Sequence, residues 1–403
     1  MHLVISDLYG AGRAAWRICC AERSVGIDAE LYVLNRDLNT PSKPISLSKK
    51  EKLFRQYYKH SNDRKLKPYQ VSTYYHADHA GLDFAKRDFV RDADVVHFHW
   101  VNEGLYSDQF MKSLASTGKP VVWTLHDMWA FTGGCHYTGD CRRFTDGCGC
   151  CPGLSSSEEN DLSRREVSSK SEILRNMNTA FAGCSKWITD EANSSTVLKT
   201  SGKNCVNIPN PINSDSFRKL DKTICRQLLN IQSDKKLILM GAVNPYDLRK
   251  GYQYLKEALL KLDPEKYILC MFGQKKDSDL SSFESIHFGS IYDDLHLAMI
   301  YSACDVFAAP SVQENLANTV MESLACGTPV TAFRIGGMPD MINHRENGFL
   351  AEPFSCEELA SGIEYCAFAE LPSDKIAEET AERFSFTAAG TAYQKLYSSL
   401  IRK

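Results

Sequence analysis

Residues 305–330 read DVFAAPSVQENLANTVMESLACGTPV. The run DVFAAP has the length and composition of a buried strand and stops at a proline. A short polar loop carrying Glu314 follows. Apolar residues then recur at helical spacing from about Asn318, which is placed to act as N-cap. The next run, PVTAF (329–333), is again strand-like. Strand, loop, helix and strand in this order make the repeating unit of a parallel sheet. Such a unit turns the amides of Ala317, Asn318 and Thr319 toward the strand-end crevice, where helix N-terminal N–H groups favour an anion such as a diphosphate. Glu314 stands in the loop and Glu322 about one turn into the helix. A carboxylate only accepts hydrogen bonds, so two acids beside an anion site point to a ligand that also carries hydroxyls, a sugar or ribose. Taken singly, a solvated loop acid at Glu314 and a base-paired Glu322 would account for each.

The same alternation extends in both directions. Upstream lie HLVIS (2–6), AELYVL (29–34), DVVHFHW (94–100), PVVWTLH (120–126), AFAGC (180–184) and CVNIP (205–209), separated by helical stretches. After the proline-rich stretch Pro209-Asn210-Pro211-Ile212-Asn213 the pattern restarts with KLILMGAV, YILCMFG, IHFGS, DVFAAP, PVTAF and NGFLA. Continuous Val/Ile/Leu runs of this kind are parallel strands buried on both faces. The chain of 403 residues is therefore expected to be α/β, with two tandem Rossmann-like domains. The expected boundaries are 1–210, 211–385 and a C-terminal helix, 386–403, packing back on the first domain.

Formal net charge is −3, so no global positive field recruits nucleic acid. No run approaches the roughly 18 apolar residues of a membrane span. The odd number of cysteines, 15, together with an N-terminus that reads as a strand, leads to an expectation of reduced thiols in the cytoplasm.

Two segments interrupt the alternation. KKEKLFRQYYKHSNDRKLK (49–67) sets eight basic residues against Glu51 and Asp63, with Leu53, Phe54, Tyr57 and Tyr58 on one side of a helix. It fits a helix lying on an anionic membrane surface, and equally a solvated helix packing its aromatics on the domain. GGCHYTGDCRRFTDGCGCCPGL (133–154) crowds Cys135, Cys141, Cys148, Cys150 and Cys151 together. Cys135, Cys141, Cys148 and Cys151 form a candidate structural zinc set, the last two in C-x2-C spacing; packed free thiols are the alternative.

Lys250 follows the first strand of the second domain and, with Arg249, is placed to neutralise a diphosphate leaving group without a metal. In the first domain Gly10 and Gly12 flank a turn that permits close backbone approach to a ligand. His97 and His99 share one strand face, and His126-Asp127 ends the next strand. His99 and His126 are candidate acceptor-side contacts, and His97 reads as a core residue.

ENLANTVME, SLACGTPVTAFRIGG and NGFLAEP, with TLHDMWAFTGGCHY, IPNPI and the RKG segment, resemble the retaining glycosyltransferases of family 4, over nearly the whole chain. The resemblance implies the GT-B fold, in which the two domains face across a cleft. It also implies hexosyl transfer from a nucleotide-diphosphate sugar with no catalytic cofactor. It assigns Glu314 to the donor sugar, Glu322 to the ribose, Lys250 to the diphosphate and His126 to the transferred sugar; Asp127, beside His126 at the strand end, is an acceptor-side candidate by its place alone. Gly10 resembles the family's N-terminal glycine loop, and Ile291 the position whose backbone meets the base. Many members carry an arginine where Ala242 stands, and Arg249 is the candidate replacement. By analogy the acceptor is a glycan or lipid-linked glycan of polysaccharide biosynthesis at the inner membrane surface. Three other functions stay open at this point. A nicotinamide oxidoreductase would need the full glycine fingerprint, which is missing; the others are a silent sugar-nucleotide-binding subunit and a sugar-nucleotide epimerase.

Overall fold

A computed structural model describes the chain except residues 9, 38–39, 72–74, 276–281 and 402–403. Two compact units result, Met1–Asn210 with Ala389–Lys403, and Pro211–Ala388.

The first unit is built on a parallel sheet of seven strands: β1 (His2–Ser6), β2 (Leu31–Asn35), β3 (Lys43–Pro44), β4 (Val96–Phe98), β5 (Val121–Leu125), β6 (Thr179–Gly183) and β7 (Cys205–Asn207). Their order is β3-β2-β1-β4-β5-β6-β7. The two-residue β3 lies between AELYVL (29–34) and the basic segment 49–67, where no apolar run announces it. Helices α1 (Gly10–Ser24), α2 (Lys49–Leu66), α3 (Asp88–Arg91), α4 (Asp108–Thr117), α5 (Leu162–Arg175), α6 (Lys186–Ser194) and α7 (Thr196–Ser201) belong to this unit. On one sheet face Leu3, Phe98, Trp123 and Phe181 are buried with Phe110 and Leu114 of α4. On the other, Ile18 and Val122 pack against Tyr393, Tyr397 and Leu400.

The second unit has a parallel sheet of six strands: β8 (Lys236–Gly241), β9 (Tyr267–Phe272), β10 (Glu284–His287), β11 (Val306–Ala309), β12 (Val330–Phe333) and β13 (Gly348–Ala351). The order is β10-β9-β8-β11-β12-β13. Its helices are α8 (Lys222–Leu228), α9 (Tyr252–Leu259), α10 (Asp294–Ala303), α11 (Asn318–Ala325), α12 (Cys356–Phe368) and α13 (Ser373–Arg383). The last helix, α14 (Phe386–Ile401), carries the chain back into the first unit. A Cβ at Gly390 would overlap the Ala21 carbonyl, so this glycine lets α14 close on α1.

In both sheets the strand order reverses beside the first strand of the unit, between β1 and β4 and between β8 and β11. Ligands of open α/β sheets bind in the crevice at that reversal, outside the carboxyl ends of the strands.

Candidate active site

In the second unit the residues at the reversal converge. β8 runs into a loop and a single 3-10 turn, Leu248–Lys250, which Gly251 ends with a left-handed φ of 71°. A side chain at Gly251 would overlap the Pro310 carbonyl at the end of β11, so glycine there brings the Arg249-Lys250 turn against the neighbouring strand. A backbone bond from Val312 N–H to the Arg249 carbonyl, 2.9 Å, ties the two loops together.

Glu314 sits in the loop after β11 and its side chain is 9% exposed. Lys250 Nζ donates to its Oε2 at 2.5 Å, and Arg249 Nη1 lies 3.6 Å from Oε1. Burial raises the Glu314 carboxyl, but the two cations outweigh it and hold the pKa below the usual value. Gly336, at φ 48°, passes so close to the Glu314 carbonyl that only glycine fits, and Gly337 N–H donates to that carbonyl at 3.3 Å. The loop is thus held from both sides.

Helix α11 begins one residue earlier than expected, with Ala317 rather than Asn318 at its N-cap and no side chain capping it. Asn318 and Thr319 are its first two residues. Glu322 lies on the inner face of α11, 2% exposed, and accepts from Tyr301 Oη at 3.2 Å. Ala242 is buried, leaving Arg249 as the second cation at Glu314. Ile291 is half-buried in the loop between β10 and α10.

In the first unit, Gly10 and Gly12 lie in the first turn of α1 and not in a turn ahead of it. A Cβ at Gly12 would overlap the Ser6 carbonyl, so this glycine lets α1 close on the end of β1. His99 follows β4 and is buried; His126 follows β5 and is half-buried. Their rings stack with centroids 5.2 Å apart, and His99 Nδ1 is 3.0 Å from His126 Nε2. Burial drives the pKa of His126 down to about 4, so it is neutral at pH 7. Asp127 is tied down by Trp129 N–H at 2.9 Å and His136 Nδ1 at 2.7 Å.

The sequence reading did not single out a cavity of about 740 Å³ beside α2, lined by Lys52, Arg55, Lys59, His76, Asp78 and Glu103 among others. A Ser48/Glu51 capping box starts α2, and Asn62, its one buried residue, bonds Asp78, His79 and Ala80. Tyr58 packs on the core, whereas Leu53, Phe54 and Tyr57 are exposed.

The cysteine segment departs from the expected zinc site. Cys135, Cys141, Cys148 and Cys151 line one cavity of about 190 Å³. No three of their sulfurs come within 4.8 Å of one another. Zinc–sulfur bonds of about 2.3 Å would require all four sulfurs to lie roughly 3.8 Å apart. The loop's own bonds set this spacing: Cys148 N–H to Arg143 O, Cys150 N–H to Glu158 O and Cys151 N–H to Asp161 Oδ2, each 2.8 Å.

Residues 234–367 match the family described as Glycosyl transferases group 1. The D-inositol 3-phosphate glycosyltransferase 2 of Catenulispora acidiphila is 26% identical over 217 residues, 49% of this chain and 51% of that protein. The chain spans about two-fifths to half the length of the first curated relatives it matches. Among solved structures, sucrose-phosphate synthase from Thermosynechococcus elongatus superposes with a TM-score of 0.66 at 18% identity, covering 100% of this chain and 98% of that one. Anabaena HepE in complex with UDP-glucose gives 0.63 at 15% identity, covering 99% and 100%. At these identities the structural likeness establishes the fold, two Rossmann-like domains of the GT-B type.

Proposed function

We propose that the chain, whose residues 234–367 match the group 1 glycosyltransferases, moves a sugar from a nucleotide-diphosphate donor to a glycan or lipid-linked glycan, with retention of configuration. The observation that carries this reading is the pair of cations, Lys250 and Arg249, gathered on the buried carboxylate of Glu314 at the strand-order reversal. An arriving diphosphate takes Lys250 and Arg249 as counter-charges. Glu314, released from them, accepts hydrogen bonds from the sugar hydroxyls. The first turn of α11 adds N–H groups beside the same anion. Glu322, behind that turn, holds the nucleotide end.

As the bond from the anomeric carbon to the diphosphate breaks, negative charge grows on the leaving oxygen, and fixed cations in a partly dry site stabilise it most. The acceptor oxygen attacks from the same face, its proton passing to the departing phosphate oxygen. The UDP-glucose complex of HepE supports a UDP-sugar as donor.

On the first unit His126, with Asp127, is the candidate sugar-binding element of this reading. The cavity beside α2 takes the acceptor, its lysines and arginine suiting a phosphate-bearing glycan. Exposed Leu53, Phe54 and Tyr57 among the α2 lysines support peripheral contact with an anionic lipid surface. Among the described residues no helix is long and apolar enough to cross a membrane.

The test is release of nucleoside diphosphate from UDP-, GDP- and ADP-sugars with phospholipid-linked and free glycans as acceptors, the product's anomeric configuration being read by NMR. Transfer with retention, lost in Lys250→Ala and Glu314→Ala, is expected. Wild-type rates in both variants would refute the site.

A further inference from the structure

A chain of hydrogen bonds runs from the sealed interior of the first unit to His126. Glu22 lies on the inner face of α1, and His2 opens β1; the two are 1% exposed and His99 is 2% exposed. His2 Nε2 is 2.7 Å from Glu22 Oε2, His2 Nδ1 is 3.0 Å from His99 Nε2, and His99 Nδ1 is 3.0 Å from His126 Nε2. A second arm reaches the other carboxylate oxygen. Tyr393 Oη meets Thr124 Oγ1 at 2.8 Å, and Thr124 meets His97 Nε2 at 2.7 Å. His97 Nδ1 meets Tyr397 Oη at 2.6 Å, and Tyr397 donates to Glu22 Oε1 at 2.6 Å.

We propose that Glu22 is a positioning residue that fixes the tautomer of His126 through His2 and His99. An ionised carboxylate accepts and cannot donate, so His2 must carry its proton on Nε2. Its Nδ1 is then an acceptor, which puts the His99 proton on Nε2. By the same step His99 Nδ1 accepts, and the proton of His126 sits on Nε2. His126 therefore keeps Nδ1 as its unprotonated nitrogen, an acceptor for a hydroxyl and not a donor to it. Burial favours neutral rings along the whole chain, lowering His2, His99 and His126 alike. Burial also works against ionised Glu22, but the interactions with His2 and His97 outweigh it and keep that carboxyl low.

His2, His97 and His99 are also the one group among the described residues with ligand atoms within 4.8 Å of one another. All six of their ring nitrogens have the hydrogen-bond partners just named, so the cluster is a relay of bonds and not a cage of lone pairs aimed at a cation.

The assignment of His126 to the transferred sugar rests on the proposed transferase activity; the relay itself does not. The experiment is nitrogen NMR of the full chain labelled with ¹⁵N-histidine, the His126 signals being identified by their loss in His126→Asn. Wild-type protein should show Nε2-protonated rings at His2, His99 and His126. In Glu22→Gln, whose amide both donates and accepts, His126 should populate both tautomers, and kcat/KM for transfer should fall about tenfold. Tyr393→Phe, which loses a hydrogen bond only at the far end of the second arm and leaves the His2–His99–His126 bonds in place, should keep the tautomer and the rate. A Nδ1-protonated His126 in wild-type protein, or an unchanged tautomer in Glu22→Gln, overturns the relay; the wild-type spectrum decides even if Glu22→Gln does not fold. Correct tautomers in a chain that transfers no sugar would refute the transferase reading and leave the relay standing.

Discussion

Replacing Lys250 by methionine strips a buried carboxylate of its nearest cation. Glu314 is 9% exposed and has Lys250 at 2.5 Å and Arg249 at 3.6 Å. Breaking a buried ion pair from one side typically costs about 3–5 kcal/mol, because the remaining charge stays desolvated. Lys250 itself is 22% exposed, and Arg249 retains part of the compensation, which brings the cost below that range, to about 2–3 kcal/mol. For a unit of the size of Pro211–Ala388 this corresponds to a fall in Tm of roughly 5–10 °C. The double variant Lys250→Met/Glu314→Gln leaves no buried carboxylate without its nearest cation, and should regain at least half of that loss. Calorimetry of Lys250→Met, Glu314→Gln, the double variant and the wild type gives the coupling directly. A Tm unchanged in Lys250→Met, or a double variant no more stable than the single, would refute the claim that the pair is a coupled, desolvated unit.

Three further outcomes follow from the same geometry. His79 is opposed by burial, but hydrogen bonds to Asp108 and Glu166 raise it to about 9. The stability it contributes, up to about 3 kcal/mol, is fully present below pH 6.5 and lost as pH rises through 9. Lys170, lowered by burial to about 8, contributes with the opposite sign between 8 and 10.5, so the difference in Tm between wild type and His79→Gln across pH 6–9.5 isolates the histidine. Gly12→Ala forces α1 off the Ser6 carbonyl and should cost about 1–3 kcal/mol, read as a lower urea midpoint. Glu322→Ala should raise the KM for donor about tenfold, or 1.4 kcal/mol, and lower Tm as well, since its carboxylate bonds Tyr301 inside the unit. An unchanged KM would remove Glu322 from the nucleotide site.

The sequence was most legible where the physics is local. The apolar runs became strands because fully buried parallel strands leave no room for polar alternation, and Glu314 and Lys250 were found because each follows such a run. What the pattern could not supply was contact between distant segments. Glu22 shares the apolar stripe of α1 with Ile18 and Cys19, and an acid on a buried stripe is the one local signal of the relay. Its partners are 20, 75 and 375 positions away. The cysteines mislead for the complementary reason. Spacing along the chain suggests a ligand set, whereas the left-handed turns at Cys148 and Cys150 and the loop's backbone bonds decide where the sulfurs go. The cap of α11 shifted by one residue because β11 and the Glu314 loop, not a capping side chain, fix where that helix starts.

The most direct test of the central claim, that the second unit binds a sugar nucleotide through Lys250 beside Glu314, is thermal stabilisation of the metal-free protein by UDP-, GDP- and ADP-sugars and by NAD(H). A ligand at a hundred times its Kd adds about 2.7 kcal/mol to the folded state, a shift of several degrees. The account predicts that at least one sugar nucleotide raises Tm in the wild type and that Lys250→Ala abolishes the shift. A shift with NAD(H) alone, or the same sugar-nucleotide shift in Lys250→Ala, would contradict it.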